Sequence, residues 1–264
     1  MRSVLNNPDI LRVRRCRPLL GTFVEIEAEG LLEDRLHEAI ERAFGAVAQT
    51  HRLMSFHDSE SDLSRLNASA GETVEVDPWT YEVLEAAGEF HHLSGGAFDP
   101  TVGGGGWDGV ELLEGHCVRL KRAGLRLDLG GIAKGFAVDR AVEALRESGA
   151  EAGIVNAGGD LRVFGECAWP VAISDPRAAM GDPLETVFLR DAALATSGPY
   201  FGERSLPSAH SVTVRAPCAL WADALTKIVL ALKEEAFPLL RRRDAACFMV
   251  TAWNNERIQS EAWQ

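Results

Sequence analysis

The segment of this sequence best suited to binding chemistry is DLGGIAKGFAVD, at residues 128–139. The pattern predicts a strand that ends at Leu129, a turn at Gly130 and Gly131, and a helix that begins directly after the turn. Unpaired N–H groups at a helix start attract anions, and Lys134 in the first turn can reach a phosphate or a carbonyl oxygen. The glycine spacing excludes a Walker loop and the Rossmann dinucleotide fingerprint. A plain glycine turn between strand and helix fits the pattern equally well.

A second pair of glycines lies in VNAGGDLRVFG, at residues 155–165. Taken alone, it indicates a hairpin or a bulge between two strands. Together with residues 128–139, it provides two turns with exposed backbone. These two turns could converge on one ligand.

Three more candidate residues can be interpreted only together with the sequence motifs around them. Met54 lies on a helical face and would be core in most proteins, and Asp99 precedes Pro100 as turn residues often do. Asp223 lies near a predicted helix start, where an acidic residue usually interacts with the helix dipole. None of the three predicts a site by itself.

The elements that must position these residues follow from hydrophobic periodicity and turn signals. We expect strands within 19–28, 117–129, 152–165, 169–176, 186–198, 211–217 and 245–253. We expect helices over 32–54, 78–94, 132–148, 218–233 and 234–243. The first helix should bury Leu36, Ile40, Phe44, Val47, His51 and Met54, and the second Trp79, Val83, Ala86 and Phe90. Strands and helices mix without strict alternation, which indicates an α+β protein with a mostly antiparallel sheet flanked by helices.

Composition narrows the class of protein. The 264 residues can bury a large core as one domain or two intimate lobes, and the net charge of -12 disfavours nucleic acid as a partner. Five scattered cysteines without a C-x-x-C pair argue against a zinc site and a disulfide framework. The N-terminus lacks the apolar core of a signal peptide, and no stretch approaches the roughly 20 apolar residues of a membrane span. We therefore expect a cytoplasmic protein.

Seven sequence blocks, in order, resemble the FAD:protein FMN transferase (ApbE) family. The blocks are RPLLGTFVEIEA, LMSFHDSESDLSRLN, GGAFDPTVGG, LDLGGIAKGFAVD, GIVNAGGDLRVFG, ALATSGPY and SVTVRAPCALWADALTK. No single block is decisive, but their combination is specific, and the resemblance covers roughly residues 17–250. It implies one α+β domain over 1–264 related to the T-fold. The reaction it implies moves FMN from FAD to a threonine hydroxyl of a target flavoprotein and releases AMP, with Mg²⁺ bridging the pyrophosphate.

The resemblance also implies roles for individual residues. Contacts with FAD are implied for residues from four blocks: Met54, Asp99, Thr101, Asp128, Lys134 and Ser197. The metal ligands it implies are the carbonyl of Gly131 and the carboxylate of Asp223, with the hydroxyl of Thr226 as a further oxygen. Asp223 and His210 are the implied catalytic residues, and Tyr200 belongs to the same turn as Ser197.

Two features depart from the family pattern. Family members commonly carry a segment like H-I-I-D-P-x-T-G after the turn that holds Ser197, and here His210 is the only histidine near that position. His210 could replace the family histidine or be an ordinary loop residue. The family often has a threonine four residues after its metal aspartate, but this chain has Lys227. An ammonium there could pair with Asp223, contact a phosphate or occupy the metal position.

These departures leave three functions open. The first is FMN transfer from FAD to a protein. The second is FAD binding without efficient transfer, and the third is hydrolysis of FAD to FMN and AMP. Bound FAD in the purified protein would favour the second, and FMN and AMP formed without an acceptor would favour the third.

Overall fold

The computed structural model describes residues 11–30, 32–69, 71–102, 106–174, 183–198, 211–251 and 256–263. The helices in these ranges are α1 (Glu33–Met54), α2 (Asp62–Ala68), α3 (Pro78–Leu93), α4 (Ala133–Glu147), α5 (Ala219–Leu232) and α6 (Phe237–Arg242). The strands are β1 (Arg12–Leu19), β2 (Thr22–Glu29), β3 (Thr73–Glu75), β4 (Thr101–Val102), β5 (Val110–Leu113), β6 (Cys117–Leu120), β7 (Arg126–Leu127), β8 (Ala152–Ala157), β9 (Asp160–Phe164), β10 (Trp169–Ser174), β11 (Pro183–Leu189), β12 (Ala193–Ser197), β13 (Ser211–Ala216), β14 (Ala246–Val250) and β15 (Arg257–Gln259).

An eight-stranded antiparallel sheet organises the fold. Its strand order is β1-β2-β8-β9-β12-β13-β14-β15, and three smaller antiparallel sheets pair β10 with β11, β3 and β5 with β6, and β4 with β7. The predicted α+β class with mostly antiparallel sheets is therefore confirmed. Among the described helices, none is long and apolar enough to cross a bilayer.

Apolar layers cover both faces of the large sheet. On one face, α1, α4 and α5 bury side chains such as Phe44, Phe136 and Val229 against the strands. On the other face, the β10–β11 hairpin and the C-terminal turn pack on the sheet, and Trp263 stacks on Phe248 with ring centroids 5.7 Å apart. Each fully buried large side chain contributes roughly 1.5–3 kcal/mol, so these layers hold the helices firmly on the sheet.

Two local features bring polar residues to the helix side of the sheet. Gly158 and Gly159 form the two-residue turn between β8 and β9, and both have positive φ, at 65° and 103°. Such a turn matches the twist of the strands, and it starts β9 at Asp160. Asp139 in α4 accepts hydrogen bonds from the N–H groups of Ala219 and Leu220, at 2.9 and 2.8 Å. Its carboxylate therefore caps α5 in place of a local capping residue.

Several details differ from the sequence predictions. His51 is exposed in α1, and α3 buries Thr80, Leu84 and Ala87 beside Val83 and Phe90 while Trp79 and Ala86 are only partly buried. The expected strand at 117–129 is two short strands, β6 and β7, which belong to different sheets. The helix expected at 234–243 begins as a 3₁₀ turn at Lys233–Ala236 and continues as α6. The strand β1 was missed because, as an exposed edge strand, it shows no apolar alternation.

Candidate functional site

An open cleft of about 340 Å³ lies where three elements meet: the loop before β4, the turn after β7, and α5. The residues that line it are Ala97, Phe98, Asp99, Pro100, Val102, Asp128, Gly130, Gly131 and Lys227. A Cβ placed on Gly131 would lie 3.7 Å from two carbons of Lys227, so the glycine turn packs directly beside the lysine stem. The turn at residues 128–131 and the late helix α5 therefore meet at one cleft.

Short-range hydrogen bonds hold the two aspartates of the cleft in place. Asp99 Oδ1 accepts from the N–H and the hydroxyl of Thr101, at 2.9 and 2.7 Å. Asp128 Oδ1 accepts from the N–H of Gly130 at 2.8 Å, and the Asp128 N–H donates to the Pro100 carbonyl at 2.8 Å. Both carboxylates are thus fixed by turns before any ligand arrives, which reduces the entropy lost on binding.

Asn67 ties the glycine turn to α2. Its side-chain amide donates to the Leu127 carbonyl at 2.9 Å and accepts from the Leu127 N–H at 2.7 Å. Leu127 is the last residue of β7 and directly precedes Asp128. The side chain of Asn67 therefore fixes the backbone that leads into the cleft.

The first of two lysine–aspartate pairs joins α4 to the β8–β9 hairpin. The Lys134 ammonium contacts Asp160 Oδ2, and the side chains are 34% and 1% exposed, respectively. Among the described residues, Asp160 Oδ1 has no hydrogen-bond partner although it is buried. The cation of this pair is therefore partly exposed to solvent, and the anion is buried.

The second pair lies within α5. The Lys227 ammonium contacts Asp223 Oδ1, and the side chains are 30% and 0% exposed. The other carboxylate oxygen, Asp223 Oδ2, accepts from the Gly135 N–H of α4 at 3.1 Å. As in the first pair, the exposed partner is the cation.

Hydroxyl groups extend the second pair into a chain of hydrogen bonds with one consistent direction. Lys227 donates to Ser197 Oγ at 2.9 Å, and Thr226 donates to the Asp223 carbonyl at 2.7 Å. Ser197 and Thr226 are 2.8 Å apart, and the Thr226 proton is already used, so Ser197 must donate to Thr226. Both hydroxyl protons and two of the three Lys227 ammonium protons therefore have assigned acceptors.

Burial and neighbouring charges shift the pKa values of the first pair. Burial raises the pKa of Asp160 to about 6; repulsion from Asp223 adds to the rise, and Lys134 and Lys227 oppose it. Burial also lowers the pKa of Lys134, but attraction to Asp160 and Asp223 outweighs burial and leaves the pKa above its ordinary value. Lys134 therefore stays a cation at any physiological pH.

The predicted site residues divide into four groups. The cleft is lined by Asp99, Asp128 and Gly131, and Thr101 is hydrogen-bonded to Asp99. Ser197, Thr226 and Asp223 form the network around Lys227, while Lys134 pairs with Asp160. Met54 ends α1 in the hydrophobic core at 6% exposure and is not among the cleft-lining residues. His210 and Tyr200 lie outside the described residues, so a catalytic role for His210 stays a prediction.

Two residues of the site were missed from the sequence. Asp160 follows the second glycine pair, and the available signal was a carboxylate directly after the turn of a predicted hairpin. Asp139 ends the segment at 128–139, and no local pattern shows that it caps a helix 80 residues later. Two partly exposed ammonium groups contact buried carboxylates, and one of them, Lys227, lies beside the glycine turn. This is a class of site whose chemistry suits phosphate or diphosphate groups.

Comparisons with known proteins give the family of this chain. The chain belongs to the ApbE family, whose model matches residues 20–107 and 104–249. It is 29% identical to a FAD:protein FMN transferase of Treponema pallidum, over 86% of this chain and 80% of that protein. It is 25% identical to the Haemophilus influenzae protein of the same name, over 84% and 80% of the two chains. The crystal structure of an ApbE protein from Thermotoga maritima is 27% identical and superposes with a TM-score of 0.86, covering 96% of this chain and 98% of that one.

Proposed function

We propose that this protein transfers FMN from FAD to a threonine hydroxyl of a target flavoprotein and releases AMP. The observation that carries the proposal is the cleft in a chain of the ApbE family, where Lys227 and the Gly130–Gly131 turn face one open space. The relatives named above are FAD:protein FMN transferases. Their names do not favour the two alternatives, FAD binding without transfer and FAD hydrolysis.

The cleft can bind the diphosphate of FAD and the groups attached to it. A diphosphate is dianionic, and the Lys227 ammonium that lines the cleft can donate a charge-assisted hydrogen bond to it. The partly exposed ammonium of Lys134, three residues after Gly131, is the second proposed donor. Gly131 has no side chain, so a phosphate can approach its backbone closely. Asp99 and Asp128 present carboxylate acceptors for sugar hydroxyl groups or an amino group. The contacts of FAD with Met54, Thr101 and Ser197 remain part of this proposal.

The reaction breaks the phosphoanhydride bond of FAD and forms a phosphoester bond to threonine. The threonine oxygen forms a bond to the phosphorus on the FMN side, the bond from that phosphorus to the bridging oxygen breaks, and AMP leaves with that oxygen. The hydroxyl proton is released, and His210 is the proposed base. The lysines stabilise the negative charge that develops on the leaving AMP, which is the main contribution a protein makes to phosphoryl transfer.

The proposal also covers the domain organisation, the cellular compartment and the kind of acceptor. Both apolar layers share one large sheet, which favours a single domain over residues 1–264. The five cysteines are free thiols, which suits a reducing cytoplasm. The net charge of -12 favours a protein acceptor over nucleic acid.

The test is flavinylation of a purified acceptor. The protein is incubated with FAD and a flavoprotein from the same organism, with its acceptor threonine intact or replaced by alanine. A covalent FMN adduct on the intact acceptor only, seen by mass spectrometry with one AMP released per adduct, is the expected result. FMN and AMP formed equally without acceptor would establish hydrolysis instead. Bound FAD that is never consumed with any cognate acceptor would establish a binding protein.

A further inference from the structure

The family resemblance implies a magnesium ion held by Gly131, Asp223 and Thr226, and the residues present do not fit one. Both carboxylate oxygens of Asp223 already have partners, the Lys227 ammonium on one and the Gly135 N–H on the other. The Thr226 proton is committed to the Asp223 carbonyl, and its oxygen accepts from Ser197. Among the described residues, no group of three or more His, Cys, Asp or Glu side chains could hold a metal ion.

The charge at this position also opposes a metal. Mg²⁺ requires a near-octahedral set of oxygen ligands, mostly carboxylates, phosphates and water. Here the carboxylate that would attract it is neutralised by an ammonium in direct contact. A divalent ion at Asp223 would have to displace Lys227 from both Asp223 and Ser197 while lying next to its positive charge.

Lys227 is held as a bound cation would be held. Two oxygen atoms from different elements, one in α5 and one at the end of β12, fix its ammonium. Its stem packs beside Gly131, and the side chain lines the cleft with 30% of its surface exposed. The oxygen partners lie on the protein side, so the remaining donor capacity of the ammonium is available to the cleft.

We infer that the Lys227 ammonium is the resident cation of this site, so that the protein binds the diphosphate of its dinucleotide without a divalent metal ion. This inference rests on the proposed function, because it names the charge that meets the FAD diphosphate. Lys227 thereby takes the place of both the metal and the threonine that the family often carries four residues after the aspartate. The threonine-containing form should be recreated by a single substitution, Lys227→Thr.

The experiment measures FAD affinity and metal binding separately from turnover. FAD binding is followed by flavin fluorescence, with EDTA and with Mg²⁺, for the wild type, Lys227→Thr and the control Lys121→Thr. Lys121 pairs with Glu111 on the β3–β6–β5 sheet and is not among the cleft-lining residues, so its loss removes one positive charge without touching the site. Mn²⁺ binding to the FAD-free proteins is titrated by electron paramagnetic resonance.

The wild type and Lys121→Thr should bind FAD equally well in EDTA and Mg²⁺ and should leave Mn²⁺ free. Lys227→Thr should lose about tenfold or more of its FAD affinity in EDTA. Mg²⁺ should restore that affinity, and the variant should bind Mn²⁺. Lys227→Arg keeps the charge and should bind FAD in EDTA, which provides a second variant if Lys227→Thr fails to fold.

Three results would overturn the inference and leave the proposed function standing. Two concern the wild type: FAD binding only with Mg²⁺, or Mn²⁺ binding that is lost when Asp223 is changed to Asn. Lys227→Thr with wild-type FAD affinity in EDTA would overturn it as well. A wild type that binds no FAD under either condition would instead contradict the proposed function itself.

Discussion

Gly135 in α4 lies directly against the carbonyl oxygen of Ala219, the first residue of α5. A Cβ built on Gly135 would sit 2.2 Å from that oxygen, far inside van der Waals contact. Only glycine therefore allows the two helices to cross this closely. The close crossing lets the Gly135 N–H reach Asp223, so the geometry of the candidate site depends on a missing side chain.

Gly135→Ala should separate α4 from α5. Overpacking of this kind costs about 1–3 kcal/mol of unfolding free energy, and the lost hydrogen bond to Asp223 adds to that cost. We expect a lower denaturation midpoint in urea and weaker FAD binding. Gly45→Ala is the matched control, because Gly45 lies in α1 with no atom within 4 Å of a built Cβ. A Gly135→Ala variant as stable as Gly45→Ala would contradict the crossing described above.

Asp139→Asn should weaken the start of α5. The buried carboxylate accepts from two backbone N–H groups and pairs with Arg162 at 2.8 Å, and the neutral amide cannot replace the ion pair. We expect a loss of about 2–4 kcal/mol in unfolding free energy, measured by urea denaturation. Asp191→Asn removes an exposed ion pair with Arg146 and should cost less than about 1 kcal/mol. Equal losses for the two variants would show that Asp139 is not a cap for α5.

The buried carboxylate of Asp160 should make stability fall as pH rises from about 4 to 6. Its pKa is raised from 3.8 to about 6 in the folded protein, so in this range the folded state binds more protons than the unfolded state. Raising the pH therefore reduces this group's contribution, by about 1–3 kcal/mol over the range. Asp160→Asn lacks this titrating carboxylate. The unfolding free energy of the variant should therefore increase relative to that of the wild type as pH rises from about 4 to 6. If the unfolding free energies of the two proteins ran parallel over this pH range, Asp160 would not be the source of the pH dependence.

Lys134→Met should leave Asp160 buried without its cation. The methionine keeps much of the stem but not the charge, so both the stability at neutral pH and the affinity for FAD should decrease, the affinity by about tenfold. Lys121→Met, at the surface pair with Glu111, is the control for loss of a positive charge. The double variant Lys134→Met, Asp160→Asn should recover stability but not FAD affinity, as measured by urea denaturation and flavin fluorescence. Recovery of both would mean that Lys134 acts only through Asp160.

Predictions from local sequence patterns were correct where residues close in sequence determine the structure of a segment. The amphipathic spacing in 32–54 and 132–148 predicted α1 and α4 to within a residue or two, and the paired glycines predicted the β8–β9 hairpin. Predictions failed where burial depends on distant neighbours. The exposed edge strand β1 has too little apolar alternation to be seen. The buried face of α3 depends on side chains from other segments, such as Phe98 against Phe90 and Trp107 against Gly88.

The amino-acid sequence alone determined the α+β class, the ApbE family, and the residue types that carry the chemistry, because periodicity and ordered motifs are properties of the chain itself. It also placed Lys227 four residues after Asp223, which a helix brings onto one face. Only the tertiary structure decided where that ammonium lies. Ser197 comes from β12 and the Gly135 N–H from α4, 30 and 88 residues away from their partners, and contacts at such separations depend on how the helices pack on the sheet.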